Sequence, residues 1–432
     1  MIILGAGLTG LSAAYHGRGV IYEMADEIGG HSKSKNVDGF VFDEGIHVLQ
    51  TKNEAVLDLY RGLGLGFHEH QRSGWVFANG SFSRYPFQVN TAHLPPLMRA
   101  QCVLGYIKAA SSSTPEALGR LRTYEEWLYA TFGAAFAEKF FLPYSEKFWT
   151  VHPREMTHRW AGLRVPRPRT WDVIKGAFRE QKTELGTHVH FRYPMGEGFG
   201  ETARAFAPYV EVRLRKCLTE VDPGRKTLTF NGQETVSYER AISTIPLPVL
   251  VRLTKGVPDA VARAAERLRH NSILVVNLGI DRPEISEKHW VHFPQKDISF
   301  FRISFPTNFG PGLAPRGTSS VQAEVSYRSH SRVDPAETVD RVVEDLKRVG
   351  VLRASDRVVV RDTLDIHYAY VVYDHQREES VKTIRDYFKK EGIYPCGRYG
   401  NWAYFWSDEA ILSGKKAAGA VRGELVEQEV GA

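Results

Sequence analysis

The sequence predicts an α/β fold, and three observations along the chain support that prediction. A strand, a glycine-rich turn and a helix open the chain, and a second strand follows at residues 19–23. A helix-rich stretch then runs from about residue 91 to 185. Strand-like segments dominate the next region, and helical patterns return at 335–349 and at about 406–428. The chain therefore combines a βαβ unit with a helical insertion and a mixed or antiparallel β-sheet.

Length and composition set the broad class. The chain has 432 residues, of which 43% are hydrophobic and 25% charged, as in ordinary globular proteins of two or three domains. No run approaches the roughly 18 apolar residues of a membrane span, so none is expected. The first strand begins at Ile2, so no signal peptide is expected before it. Three widely spaced cysteines, without metal-ligand spacing, favour a cytoplasmic protein with no metal site.

The charge of the chain is compatible with two kinds of partner. The net charge is +6 at pH 7, which suits either a nucleic acid or an anionic small substrate such as a nucleotide or a sugar diphosphate. The Lys and Arg residues are interleaved with acids and form no basic block, and no nucleic-acid-binding motif is present. We therefore expect no nucleic-acid partner, although composition alone does not separate the two classes.

The first glycine-rich turn predicts a dinucleotide site. Residues 5–10 read GAGLTG, directly after a strand and at the start of a helix. Glycines in this pattern allow a tight turn and let backbone N–H groups approach a pyrophosphate. The acid that ends the second strand would accept hydrogen bonds from ribose hydroxyls and repel the 2′-phosphate of NADP, which leaves FAD or NAD. The predicted cofactor-binding residues here are Gly5, Gly7, Leu8, Thr9, Gly10 and Glu23.

A glycine pair after the acid distinguishes these two cofactors. Residues 22–34 read YEMADEIGGHSKS, which places Gly29, Gly30, His31 and Ser32 shortly after Glu23. The pattern resembles FAD proteins of the superfamily that includes amine oxidases and nucleotide-sugar mutases. The resemblance implies a Rossmann-like FAD-binding domain in which the backbone at the glycine pair passes close to the phosphates and ring of the flavin.

Five further segments resemble the UDP-galactopyranose mutase family, in chain order. They are FDEGIHVLQTKNEAVLDLY (42–60), RYPFQVN (84–90), FFLPYSEKFWTVHPREM (140–156), LRVPRP (163–168) and CGRYGNWAYFW (396–406). The fourth segment aligns Arg164 with an arginine on a mobile loop of the family, and the fifth places Arg398 and Tyr404 at the family's spacing. The resemblance extends from residue 2 to about residue 418, and this order of motifs is more specific than any one of them.

The resemblance implies an FAD-dependent pyranose–furanose mutase of nucleotide sugars. The reaction is redox-neutral, uses FAD as FADH2, and begins when flavin N5 attacks the sugar anomeric carbon as UDP or a related nucleotide leaves. Arginine suits the task of holding the diphosphate, because it is always charged and can bind two phosphate oxygens at once. The implied catalytic residues are Arg164, Arg398, Tyr404 and His31. The implied substrate-binding residues are Tyr144, Trp149, Asn90, Arg302, Tyr370 and Phe140.

Further cofactor contacts are implied in the second half of the chain. The segment SGKKAA (413–418) resembles the closing flavin-binding helix, whose N-terminus would meet the pyrophosphate or the ribityl chain. The residues implied beside FAD are His47, Leu218, Gly397, Arg398, Asp408, Ala410 and Ile411. The resemblance also implies an external reductant such as NAD(P)H and a homodimer, since relatives are often dimers.

Several of these side chains also have a structural interpretation. Arginines are most often paired with surface carboxylates, and the aromatic residues from 140 to 149 fit a helix stripe packed in a core. The sequence also departs from the family, because Trp406 replaces an acid and Phe300 replaces a tyrosine. The substrate is therefore predicted to be a nucleotide sugar related to UDP-galactose.

The predicted domains are discontinuous. Residues 1–90, about 191–245 and 385–432 form the FAD-binding domain, residues 91–190 a helical substrate domain, and residues 246–384 a mixed-sheet substrate domain. Trp406 and the segment MGEGFGE (195–201) favour an alternative function, an FAD-dependent oxidoreductase of the amine oxidase or protoporphyrinogen oxidase type. A flavin-bearing scaffold or nucleic-acid binder is a third interpretation, which no binding motif supports.

Overall fold

The structure is a computed structural model that describes residues 1–181 and 189–423. Most of its strands are short, and two of them reach ten residues. In chain order they are β1 (Ile2–Leu4), β2 (Val20–Tyr22), β3 (Ser34–Val37), β4 (Phe40–Asp43), β5 (Phe67–Gln71), β6 (Gly74–Ala78), β7 (Ser81–Arg84), β8 (His190–Pro194), β9 (Glu211–Arg213), β10 (Leu218–Asp222), β11 (Thr227–Phe230), β12 (Glu234–Ser237), β13 (Ala241–Ser243), β14 (Asn271–Ile280), β15 (Trp290–His292), β16 (Arg302–Ser304), β17 (Ser319–Arg328), β18 (Val358–Ile366) and β19 (Ile393–Pro395).

Helices separate these strands and are concentrated between β7 and β8. In chain order they are α1 (Leu8–Gly17), α2 (Glu54–Gly62), α3 (Pro96–Ser112), α4 (Pro115–Gly119), α5 (Tyr124–Phe132), α6 (Ala134–Phe136), α7 (Leu142–Trp149), α8 (Ala161–Arg164), α9 (Thr170–Gly176), α10 (Glu201–Arg204), α11 (Leu247–Arg252), α12 (Asp259–Glu266), α13 (Pro335–Arg348), α14 (Arg377–Lys390), α15 (Gly397–Gly400) and α16 (Ser407–Arg422). None of the helices in the described ranges is long and apolar enough to span a membrane.

A five-stranded parallel sheet carries the glycine-rich turn. Its strand order is β19-β13-β1-β2-β9, and α1 packs against α16 beside it. The strands come from residues 2–22, 211–243 and 393–395, so both ends of the chain build this sheet. The predicted α/β class with a Rossmann-like unit is confirmed, whereas the exact domain boundaries stay predictions.

A seven-stranded mixed sheet forms the other large layer. Its order is β18-β14-β17-β16-β15-β6-β7, and all neighbours are antiparallel except β15 and β6. Strands β6 and β7 lie within the predicted 1–90 segment, yet they pair with strands of the predicted mixed-sheet domain. The chain therefore crosses from one layer to the other earlier than the sequence pattern indicated.

Two stretches that look continuous in the sequence are broken in the structure. The strand-like stretch at 210–222 is divided between β9 and β10, which belong to different sheets, and Arg215 between them has a left-handed φ of 57°. The helical stretch at 123–149 is interrupted at Gly133, whose φ is 78°. A Cβ there would overlap the backbone of Gly105 in α3, so this close approach requires glycine.

Other differences concern the ends of elements. The strand-like stretch at 297–305 forms a strand only at Arg302–Ser304. The predicted helical residues 182–185 and 424–428 lie outside the described residues. The helix predicted over 335–349 is present as α13.

Candidate functional site

A large cavity lies where the parallel sheet, the mixed sheet and the helical region meet. Its volume is about 1570 Å³, and residues from the glycine-rich turn to the start of α16 line it. A site for one small ligand usually measures roughly 300–1,000 Å³. The cavity is therefore large enough for a dinucleotide together with a second ligand.

The glycine-rich turn and the glycine pair form one wall of this cavity. The backbone of Gly7 forms a parallel bridge with Gly29, whose N–H donates to the carbonyl of Ala6 at 2.9 Å. Gly29 and Gly30 have φ angles of 123° and 54°, and a Cβ on Gly30 would lie 3.1 Å from the Cα of Gly7. This close approach leaves the N-terminus of α1 open towards the cavity, where an anion would be stabilised.

The N-terminus of α16 also faces the cavity. Ser407 and Ala410 from its first turn line the wall, as do Leu8 and Thr9 at the start of α1. Two helix N-termini therefore border one space, and at α16 the carboxylates of Asp408 and Glu409 accept two of the N–H groups. Such an arrangement fits the diphosphate of a dinucleotide.

Glu23 lies at the end of β2 with its carboxylate buried. Its two oxygens accept the backbone N–H groups of Ala6 at 2.6 Å and Ala25 at 2.8 Å. Each carboxylate oxygen retains a further lone pair that can accept a ribose hydroxyl. Lys216 and Leu218 line the same cavity, so the geometry fits an adenosine at this end.

Arg398 brings a positive charge to the cavity that has no carboxylate partner among the described residues. It donates to the backbone carbonyls of Phe405 and Ala369, each at 2.9 Å. Its guanidinium lies 5.1 Å from the ring of Tyr370 and 5.2 Å from that of Tyr404. Within the described ranges no carboxylate pairs with it, and its Nε is buried without a hydrogen-bond partner. A cation held only by neutral groups is suited to bind an anion.

Arg164 also lies beside Tyr404, with its guanidinium carbon 5.5 Å from the ring centroid. Its Nη2 donates to the Tyr404 carbonyl at 2.8 Å and lies 2.8 Å from both carboxylate oxygens of Glu409. Its guanidinium carbon is 3.9 Å from the ring centroid of Trp406. The structure therefore brings together Arg164, Arg398 and Tyr404, as the sequence predicted, but it pairs Arg164 with a carboxylate.

A row of three polar side chains crosses the mixed sheet beside these arginines. His292, Arg302 and Glu324 are register partners on β15, β16 and β17, and all three line the cavity. Arg302 donates through Nε and, at 2.9 Å, through Nη2 to Glu324. It also donates to the hydroxyl of Tyr370 at 3.4 Å. Because Glu324 neutralises Arg302, this residue is a weaker candidate for a phosphate contact than Arg398.

The histidines of the cavity differ in their surroundings. His31 Nδ1 lies 2.8 Å from Glu44 Oε2, and both residues line the cavity. Burial lowers the pKa of His47 to about 4, and burial together with the guanidinium of Arg302 lowers the pKa of His292 to about 3. At neutral pH His47 and His292 are therefore uncharged and can act as hydrogen-bonding groups.

Several predicted site residues lie outside the cavity lining. Phe140, Tyr144 and Trp149 are packed in an aromatic core, where Tyr144 stacks on Phe140 at 5.7 Å. Asn90 is buried and accepts the N–H of Gln181 at 2.7 Å. The predicted residues that lie behind the cavity wall are Asn90, Phe140, Tyr144, Trp149, Gly10, Gly397, Asp408 and Ile411. Their assignment to substrate or cofactor stays a prediction.

The sequence profile of flavin-containing amine oxidoreductases matches residues 8–422, which is nearly the whole chain. The chain belongs to the flavin-containing amine oxidoreductase family. The two glycine motifs, the residues at the two helix N-termini and Glu23 line one cavity of this family member, and their assignment to the flavin stays a prediction.

Several solved structures share the fold of this chain. A crystal structure of reduced UDP-galactopyranose mutase matches with a TM-score of 0.92 and 26% identity over 98% of this chain and 93% of that chain. A protein described as a protoporphyrinogen oxidase from an Exiguobacterium species has a TM-score of 0.76 and 18% identity, with 98% of each chain covered. Cyclohexylamine oxidase from Brevibacterium oxydans has a TM-score of 0.71 and 15% identity, again with 98% of each chain covered. The predicted resemblance is confirmed, and the last two likenesses concern the fold alone.

Sequence reasoning about this flavoprotein missed several residues that line the cavity. Those with polar side chains are Glu44, Arg72, Tyr85, His292, Glu324 and Tyr399. Side chains alternate between the two faces of a strand, and His292 and Glu324 each lie across from Arg302 in the sheet. The three side chains therefore share one face, which is a weak indication that His292 and Glu324 belong to the same cavity as Arg302. The signal becomes visible only once the strand register is known.

Asp43 is a buried carboxyl group outside the cavity lining. It accepts hydrogen bonds from Ser34 Oγ at 2.6 Å, Tyr193 Oη at 2.7 Å and the Phe199 N–H at 2.9 Å. These donors favour the ionised form, yet burial outweighs them and raises the pKa of Asp43 to about 6.

This pKa predicts a pH dependence of stability. Because the folded state favours the protonated form, the contribution of Asp43 is fully present below pH 3.8 and is lost as the pH rises through about 6. We expect the unfolding free energy of the wild type, relative to Asp43→Asn, to fall by about 2 kcal/mol between pH 4 and pH 7. Denaturant unfolding of both proteins across this range measures it. A difference that stays constant with pH would contradict the assignment.

Proposed function

We propose that this flavoprotein interconverts the pyranose and furanose forms of a nucleotide sugar. The observation that carries the proposal is Arg398, a guanidinium in the cavity that is held by two carbonyls and three tyrosine rings without a carboxylate partner among the described residues. An amine substrate would be repelled by this cation. A diphosphate would be attracted to it.

The charge of the whole cavity supports an anionic substrate in addition to FAD. Among the described residues its lining holds nine basic side chains and four carboxylates; they are Lys52, Arg72, Arg164, Arg167, Arg169, Lys216, Arg252, Arg302 and Arg398, with Glu23, Glu44, Asp172 and Glu324. One diphosphate belongs to FAD and would lie near the two helix N-termini. Arg164, Arg302 and Lys216 are paired with Glu409, Glu324 and Glu234. Arg398, which has no carboxylate partner among the described residues, therefore favours a second diphosphate, such as that of UDP-galactose or a related nucleotide sugar.

The flavin side of the cavity fits FAD. Glu23 and Leu218 would hold the adenosine, the N-termini of α1 and α16 the diphosphate, and the glycine pair would allow close approach of the backbone. When bound and reduced, FAD supplies the nucleophilic nitrogen that the interconversion requires.

Residues of the chain itself would handle the substrate. Arg398 and Arg164 flank Tyr404 and would hold the diphosphate through departure and return of the nucleotide, so that it is not lost to solvent. The row formed by His292, Arg302 and Glu324, together with Tyr370, would border the sugar and offer donors and acceptors to its hydroxyls. An external reductant such as NAD(P)H, a homodimer and a cytoplasmic location belong to the same proposal.

The second candidate function is an oxidase or dehydrogenase of the amine or protoporphyrinogen type. The observation that favours it is Trp406, which stands where the mutase family has an acid and which covers the guanidinium of Arg164 at 3.9 Å. An aromatic wall at this point suits an apolar substrate better than a sugar.

One assay separates the two functions. The purified protein is reduced with dithionite, mixed with UDP-galactofuranose and analysed by chromatography for UDP-galactopyranose. We expect conversion by the reduced protein and none by the oxidised protein. If no nucleotide sugar is bound or converted while amines or porphyrinogens drive oxygen uptake, the mutase proposal is wrong.

A further inference from the structure

We propose that Glu409 is an affinity-determining counter-ion that competes with the substrate diphosphate for Arg164. The inference rests on the proposed nucleotide-sugar substrate and assigns a role to a residue that neither the sequence motifs nor the cavity lining pointed out. Arg164 in α8 contacts Glu409 in α16, a residue 245 positions further along the chain.

The carboxylate of Glu409 is fixed at the start of α16. Its Oε2 accepts the backbone N–H of Trp406 at 2.7 Å, which caps the helix. The neighbouring residues Ser407 and Ala410 line the cavity. Glu409 therefore holds a negative charge at the cavity rim, directly beside a cation predicted to bind phosphate.

The geometry of the contact shows what Glu409 prevents. A guanidinium binds two phosphate oxygens through a pair of neighbouring nitrogens, either Nη1 with Nη2 or Nε with Nη2. Nη2 belongs to both pairs, and in Arg164 it is occupied by Glu409 and by the carbonyl of Tyr404. A diphosphate can therefore engage Arg164 in two-point fashion only if one of these partners leaves Nη2. The carboxylate of Glu409 is at the end of a side chain that can rotate away, whereas the Tyr404 carbonyl is fixed in the backbone.

The exchange is feasible because the ion pair is partly exposed and the guanidinium has a second support. The side chains of Arg164 and Glu409 are 16% and 35% exposed, so the desolvation of the two charges offsets part of their attraction. The indole of Trp406 lies 3.9 Å from the guanidinium and holds its plane independently of the carboxylate. Arg164 would thus remain at the cavity when its partner changes from Glu409 to phosphate.

The test compares UDP binding to the flavin-loaded wild type and to Glu409→Gln by equilibrium dialysis. The glutamine oxygen can still accept the Trp406 N–H, so the helix cap is retained while the ionic competitor is removed. We expect the Kd of UDP to fall by about threefold to tenfold. Glu378→Gln is the matched control, because Glu378 pairs with Arg159 at the surface at 3.3 Å and does not line the cavity. Its Kd should equal that of the wild type.

The outcomes distinguish this inference from the proposed function. If UDP binds the wild type but binds Glu409→Gln equally or less tightly, the inference is wrong and Glu409 instead holds Arg164 in place for the substrate. In an Arg164→Ala background Glu409→Gln should no longer change the Kd, and a persisting gain would also overturn it. If UDP binds neither protein, the proposed nucleotide substrate fails, and the inference fails with it.

Discussion

Arg398→Ala is expected to lower turnover of the nucleotide sugar by about 100-fold or more while the protein keeps its flavin. The side chain contributes a cation without a carboxylate partner in the described structure, and its Nη groups are held in place by Phe405 and Ala369. Removing such a preorganised charge from a diphosphate site typically costs roughly 3 kcal/mol of transition-state stabilisation. Single-turnover conversion of UDP-galactofuranose and the flavin absorbance of the same sample measure the two properties separately.

Two further variants make the result of Arg398→Ala specific. Arg398→Lys keeps the charge but not the two-point geometry, so we expect it to recover part of the activity. Arg159→Ala removes an exposed arginine whose side chain is 78% accessible, and it should behave like the wild type. Loss of the yellow cofactor from Arg398→Ala would assign this residue to FAD binding instead.

Gly414→Ala is expected to lower the unfolding free energy by about 3 kcal/mol and to reduce flavin retention. Gly414 is the point where α16 crosses α1, and a Cβ there would overlap the carbonyl oxygen of Thr9 and lie 3.0 Å from the backbone nitrogen of Ala13. The two helices would have to separate, because backbone atoms of a helix cannot rotate away as a side chain does. Both helix N-termini that face the cavity would move with them. Denaturant unfolding and flavin content after gel filtration measure the effect.

Gly62→Ala is the control for this substitution. Gly62 is the last residue of α2, and a Cβ there would meet no atom within 4 Å. Alanine favours helix over glycine, so this variant should be as stable as the wild type or slightly more stable. If Gly414→Ala resembles Gly62→Ala in stability and flavin content, the close packing of α1 and α16 does not set the geometry of the site.

The parts of the cavity wall that depend on local sequence could be located from the sequence. One wall of the cavity is built from residues within 30 positions of each other in the chain. They are the turn around Gly7, the acid Glu23 and the pair Gly29-Gly30. The spacing of Arg398 and Tyr404 is equally local, and a guanidinium–ring distance of 5.2 Å follows from one short segment.

The aromatic segment shows where prediction from sequence reached its limit. A helix with Phe140, Tyr144 and Trp149 on one face fits the wall of a substrate site as well as a protein core. Hydrophobic periodicity indicates that a face is buried, but it does not indicate whether protein or ligand packs against that face. In the structure the Tyr144 hydroxyl lies 2.7 Å from Nδ1 of His292, a residue 148 positions away. The hydroxyl of Tyr144 therefore contacts a cavity-lining residue from behind, and Tyr144 itself does not line the cavity.

The sequence by itself determined the dinucleotide turn, the order of the family motifs and the choice of candidate arginines, because these depend on backbone geometry and spacing over short stretches. Only the tertiary structure decided which of those arginines remains available to an anion. Arg302 meets Glu324 through strand register, Arg164 meets Glu409 through the packing of α16, and Arg398 meets only neutral groups among the described residues. Charge compensation acts through space between residues far apart in the chain, so no local pattern encodes it.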